Sequence, residues 1–224
     1  MTAASHPTTA PQPTDVTLSR FLAGLGVLAL WLGYFFRPWI PASSPALVLN
    51  GFDLAERLTF LPEVQTGALP ISRLQQTLPL TALLILTIGF AATVRGWPRW
   101  ALIALAAIGL FGVLPGYPFI LFWRSDATVQ QQLTLTALTV LAGGLLFALT
   151  ALTHRWPSHL RRAPAFLLLT LAIAAAALAA VNLATLLPAF SALYARPLPP
   201  GDGLWLYLLG ALLTALAALR DLTT

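Results

Sequence analysis

Apolar residues run along this chain in long blocks, and the block lengths set the first expectation. FLAGLGVLALWLGYFF, residues 21–36, continues through RPWI to Ile40. At about 1.5 Å rise per residue, some twenty apolar residues cross the roughly 30 Å hydrocarbon layer of a bilayer. This block is span one, residues 21–40. Span two is LPLTALLILTIGFAATV, 78–94, followed by RGWPR and span three, 100–122. A linker this short, holding Gly96 and Pro98, makes a tight turn, so spans two and three form an antiparallel hairpin. Span four covers 133–152, span five covers 165–187 and stops at Pro188, and span six covers 204–219 and ends at Arg220. The predicted fold class is all-α: a polytopic integral membrane protein with six transmembrane helices in a single domain, 21–220.

Outside the blocks two segments stand out. Residues 1–20 are polar, with three prolines and no apolar period, and read as a disordered cytoplasmic tail. A cleaved leader is the rival reading of span one, but its charged region would be twenty residues long with one arginine, and no A-x-A site follows. The loop 41–77 carries the second segment, VLNGFDLAERLTFLPEV. Asn50 is positioned as an N-cap with Asp53 three residues on, and Asp53 and Arg57 are spaced as an i,i+4 pair. A helix over 51–61 would gather Leu54, Ala55, Leu58 and Leu61 on about a third of its circumference and leave Asp53, Glu56 and Arg57 opposite. Phe60 falls among the charges and Phe52 at the boundary. The prediction is a short amphipathic interfacial helix in the outer loop between spans one and two, packed as a lid on its own bundle. Phe52, Asp53, Glu56, Arg57 and Phe60 are its candidate interaction or gating residues.

Composition agrees with a bilayer and narrows the function. The chain is 58% hydrophobic against the 45 to 50% usual in soluble domains, and only 8% charged. All twelve cationic side chains are arginine, scattered singly at span ends, which suits interfacial anchoring and gives no basic stripe for nucleic acid. With the amino terminus cytoplasmic, seven arginines (20, 95, 99, 155, 161, 162 and 220) lie inside and five outside, so both termini are assigned to the cytoplasm, most simply at the plasma membrane. Cysteine is absent, which removes disulfides, thiolate metal sites and thiol nucleophiles from consideration.

Candidate chemistry is sparse. The uncharged cores of the six spans hold no Asp, Glu, Lys, Arg or His, which disfavours ion-coupled transport. LPGYP, with Pro115, Gly116 and Pro118, is the candidate broken helix, flanked by Tyr117, Phe122 and Trp123 as interfacial aromatics. Asn182 is the single carboxamide deep in a span and is expected to hydrogen-bond across helices. Ala172, Ala176, Ala180 and Ala184 make a small-residue ridge on span five, and Gly210, Thr214 and Ala218 one on span six, so spans five and six pack on each other or on another subunit. His154 and His159, with Arg155, Arg161 and Arg162, read as a solvated cytoplasmic loop. No metal spacing, phosphate loop or nucleophile elbow occurs, and no cofactor is implied. These observations point to a structural or accessory subunit of a membrane complex acting through its outer loop, with a small permease or transporter component as the alternative and an enzyme disfavoured. The implied partners are the lipid bilayer and a membrane protein or second copy, not nucleic acid.

Overall fold

A computed structural model of the chain describes residues 13–41, 48–115, 119–122, 124–157 and 160–223. It is all-helical: α1 (Pro13–Trp31), α2 (Gly51–Arg57), α3 (Pro62–Gln65), α4 (Arg73–Ala91), α5 (Trp97–Leu110), α6 (Ala127–Ala151), α7 (Ala163–Leu193) and α8 (Asp202–Thr223). Among the described residues, five helices are long and apolar enough to cross a membrane: Leu18–Phe36, α4, α6, α7 and α8. Several apolar helices of this length are the mark of a membrane protein.

Each boundary has a local cause. α1 begins at Pro13, ahead of the expected tail end at Arg20, because the first turn of a helix tolerates the missing proline N–H. It continues through a π-helical turn, Leu32–Phe36, and stops at Arg37, whose extended backbone (φ −114°, ψ 142°) is what a following proline favours. RPWI is thus not the end of a span. It turns back into the bundle, burying Trp39 and Ile40 completely, and Ile40 bridges Leu49 in an antiparallel pair. α4 starts earlier than the apolar run because the Ser72 hydroxyl accepts from the Gln75 N–H at 3.1 Å. It keeps Pro79 in its interior. The RGWPR hairpin is present: Gly96 takes φ +74°, open to glycine, and α5 follows at once.

Two spans differ from expectation. α5 has 14 residues, so it rises about 21 Å and does not cross a bilayer of about 30 Å by itself. Its chain leaves the helix at Leu110 for turns that lead to buried Pro115. The break expected at LPGYP comes earlier, at Leu110, and Gly116, Tyr117, Pro118 and Trp123 lie outside the described residues, as do the tail 1–12 and His159. α7, in contrast, passes straight through Pro188 to Leu193. What stops it is Ala195, held at φ 51°, with the Arg196 N–H returning to the Ser191 carbonyl at 3.1 Å. That is a Schellman-type cap in which alanine occupies the position glycine usually fills.

α4 is the central rod. It packs on α1, α5, α6 and α7, and 67% of its apolar stretch is buried, against 22% for α6. The most extensive helix pair is α1 with α8, and glycines set its spacing. A Cβ on Gly33 would fall 2.5 Å from the Tyr207 backbone nitrogen, and one on Gly210 would fall 2.6 Å from that of Leu30. Gly26 and Gly33 on α1 and Gly203 and Gly210 on α8 repeat at heptad spacing in antiparallel order, so the two backbones touch along a seam. The ridge at Gly210 and Thr214 therefore serves α1 rather than α7. α7 meets α8 and α4 through Ala172, Ala175 and Ala179, while Ala176 and Ala180 are partly buried and Ala184 is exposed. The true α7 stripe alternates three- and four-residue steps, as a 3.6-residue period requires, and a strict period of four drifts off it.

Candidate functional site

The loop segment folds into a cap on one end of the bundle. The Asn50 carbonyl oxygen accepts from the Asp53 N–H at 2.8 Å, while its amide donates to the Phe35 carbonyl at 2.9 Å, so one side chain both starts α2 and ties it to α1. α2 passes into a tight 3-10 turn, Leu58–Phe60, close to the expected length. Leu54, Ala55, Leu58 and Leu61 are all buried in the bundle core, as the amphipathic pattern requires. Glu56 accepts from Arg73 at the start of α4, from Nε at 3.1 Å and also from Nη2. The expected Asp53–Arg57 pair does not form.

The five candidate loop residues consequently part company. Phe52 faces α1 and α5, stacked on Phe35 with ring centroids 6.0 Å apart, at the edge of an apolar groove of about 490 Å³ lined also by Trp31, Ile108 and Phe111. Asp53 serves through its backbone N–H and Glu56 clamps Arg73. Arg57 and Phe60 point away from the core and, with Leu49, Phe190 and Tyr194, line a cleft of about 160 Å³ beside the end of α7. Phe60 is 70% exposed.

Beneath the cap lies an aromatic plug and, next to it, a polar hub. Tyr34, Trp39 and Tyr207 are fully buried and pack edge to face or tilted, and the Trp39 indole donates to the Gly33 carbonyl at 2.8 Å. The hub exists because of Pro79. Proline has no N–H to give the carbonyl four residues back, so the Gln75 C=O loses its helical partner. Asn182 of α7 replaces it, donating at 3.0 Å, and the Tyr207 hydroxyl of α8 donates to the Pro79 carbonyl at 2.7 Å. The cross-helix role expected of Asn182 is thus realised, with a backbone acceptor. Gln76 is also fully buried, and neither end of its amide finds a partner among the described residues. Pro115 and Asn182 are not brought together: α5 packs chiefly on α4, and Asn182 sits on α7.

A wider cavity, about 690 Å³, opens at the opposite end. Its walls bring together Arg20 near the start of α1, Arg95 and Arg99 around the α4–α5 turn, His154 after α6 and Asp221 in the last turn of α8. Arg99 closes α4, its Nε donating to the Ala91 carbonyl at 3.3 Å and to that of Val94 in the turn at 2.9 Å, and lies 5.7 Å from the Phe147 ring centroid. Asp221 has Ser19 as a hydrogen-bonding neighbour and the charges of Arg20 and Arg220 beside it. In the sequence these arginines stand apart as separate span-end anchors. Their convergence follows only from the antiparallel order of the helices. Pro79 and the Glu56–Arg73 clamp were also missed, although an interior proline next to a run of amides, QQTLP, is a legible sign of a helix that needs outside donors. Among the described residues, no group of three or more His, Asp or Glu is placed to hold a metal ion. Compared with protein-family models, curated proteins and solved structures, the chain matches none.

Proposed function

We propose that the protein is an accessory subunit of a membrane complex, working by contact rather than by catalysis, and that its cap is the contact surface. The observation that carries this reading is the cleft at Phe60. A cap anchored by three buried leucines and an ion pair holds a phenylalanine and Arg57 outward over a small pocket that Phe190 and Tyr194 line. Aromatic and arginine side chains on rigid elements are the usual energetic centres of protein interfaces. Nothing in the cap's own packing requires Phe60 to be apolar. The arginine-bearing end then faces the cytoplasm and the cap faces outward, with the plasma membrane as the membrane concerned. A second copy docking on α7 would use its outward side, where Ala184 is exposed.

Purification in mild detergent followed by mass measurement tests the reading. The wild-type chain is expected to carry a stoichiometric protein partner, and the double variant Phe60→Ala/Arg57→Ala to lose it with about tenfold or greater weakening. Both side chains are exposed, so the variant keeps its fold. A wild-type chain isolated alone as a monomer would overturn the proposal. The alternative, a small permease, draws support from the 690 Å³ cavity that ends in buried structure, with the Tyr34, Trp39 and Tyr207 plug toward the other face. Solute flux in liposomes that is lost in Asn182→Leu would favour that alternative.

A further inference from the structure

The cavity at the arginine-bearing end is not used by the contact-subunit reading, and its chemistry is that of a binding site. Its inner wall is apolar, formed by Leu86 and Phe90 of α4, Leu168 of α7 and Ala217 of α8. Its mouth carries Arg20, Arg95 and Arg99, with Asp221 the one carboxylate among the described lining residues, a formal +3 − 1 = +2 before His154 is counted. Helix ends do not cancel this charge. The negative C-terminal ends of α4, α6 and α8 gather there, but so do the positive N-terminal ends of α1, α5 and α7, each worth about half a charge.

Local structure accounts for only part of the cationic set. Arg99 is occupied in closing α4, and Arg20 is partly answered by Asp221. Arg95 is exposed on the turn and makes no ion pair with a described residue. The threonine hydroxyls around the mouth are already spent: Thr93 donates to the Phe90 carbonyl, Thr150 to Leu146 and Thr153 to Thr150. Donors for a ligand therefore come from guanidinium groups on separate parts of the chain, with the His154 imidazole beside them. A carboxylate has two coplanar oxygens and suits one such fork, whereas phosphate offers oxygens in several directions and suits a convergent set.

We propose that this cavity binds a phosphate-bearing anion, with the phosphate on Arg20 and Arg95 in front of Arg99 and any apolar tail along Leu86, Phe90 and Leu168. Basic pockets between spanning helices are where anionic lipid headgroups lodge, and the same group on a soluble molecule would be held by the same side chains. The test uses the full chain in detergent, comparing native mass spectra after exposure to phosphatidylglycerol or phosphatidylcholine, and melting temperatures with and without inorganic phosphate. Selective retention of phosphatidylglycerol, reduced about tenfold or more in Arg20→Gln/Arg95→Gln, is the expected result and identifies a lipid. A rise in melting temperature with inorganic phosphate, absent in the same variant, also supports the site and identifies a soluble source. Arg37→Gln/Arg124→Gln, which removes the same charge from two exposed positions at the cap end, is expected to leave either effect unchanged. Equal retention of both lipids without a phosphate effect, or binding indifferent to the Arg20 and Arg95 changes, would overturn the proposal. Glutamine keeps the polarity of two positions that are already exposed, so loss of fold does not confound the comparison.

Discussion

Pro79 shows how one residue can organise three helices. Its ring removes a backbone donor from α4, Asn182 from α7 supplies the orphaned Gln75 carbonyl, and Tyr207 from α8 donates to the carbonyl of Pro79 itself. A carbonyl left unpaired in an apolar interior is costly, whereas one hydrogen bond between membrane helices contributes about 0.6 to 2 kcal/mol. Replacing Asn182 by leucine is therefore expected to lower stability by about 1 kcal/mol in reversible unfolding in micelles. The informative measurement is the cycle with Pro79→Ala. Alanine restores an N–H to the Gln75 carbonyl, so Asn182→Leu should cost less in that background, and equal costs in both would mean that Asn182 is not acting on the orphaned carbonyl. The sequence made Asn182 visible because a lone amide in an apolar run demands a partner. It did not reveal the partner, because the acceptor is a backbone atom created by a proline on another helix.

At the scale of elements, small residues decide which helices touch. The α1–α8 seam has no room for a side chain at Gly210, whose Cβ would meet the Leu30 nitrogen at 2.6 Å, while Gly144 on α6 has nothing within 4 Å. Gly210→Leu is expected to destabilise the fold by at least the roughly 1 to 3 kcal/mol of an overpacked core and so to lower the melting temperature in detergent, and Gly144→Leu to leave it nearly unchanged. If the two variants melted alike, the seam would not be a close contact. Element existence was legible here because lipid-scale apolar runs have few alternatives, and the cap helix was legible from its N-cap and leucine face. Element ends were less so. Pro188 looked like a stop, yet α7 continues because Ala189 and Phe190 bury themselves in the bundle beyond it, and its real stop uses an alanine in a conformation that composition does not signal. That α7 packs on α8 was legible, but the α7 residues that make the contact were not, for a related reason. Alanine is so abundant in α7 that a period of four emerges beside the true stripe, whereas the fewer glycines of α1 and α8 mark their contact without ambiguity.

Considered whole, the molecule has two chemically different ends joined by helices of alternating direction. The cap end holds Glu56, Arg57 and the start of α8 at Asp202, and the other end gathers Arg20, Arg95, His154 and Asp221 around one cavity. A helix crossing the bilayer must carry its ends to opposite faces, since extended loops do not cross hydrocarbon without satisfied backbone groups. Single cysteines introduced at Arg57 and Asp202 should thus react with an impermeant thiol reagent from one face of sealed vesicles, and a cysteine at Arg95 from the other. The chain has no cysteine of its own, so every label reports the introduced site. The short α5 makes the outcome discriminating. Position 95 lies on the turn between α4 and α5, and because α5 does not cross a bilayer by itself, the next spanning helix, α6, must still begin at the cap end, where Asp126 accepts from the Thr128 N–H at 2.7 Å to start it. A further cysteine at Thr128 reacting from the same face as Arg95 would mean that the α5 segment and the turns after it form a re-entrant hairpin. The arrangement of α6 and α7 against α4 would then be incompatible with a bilayer, whereas reaction from the face of Arg57 requires the unwound stretch after Leu110 to complete the crossing inside protein.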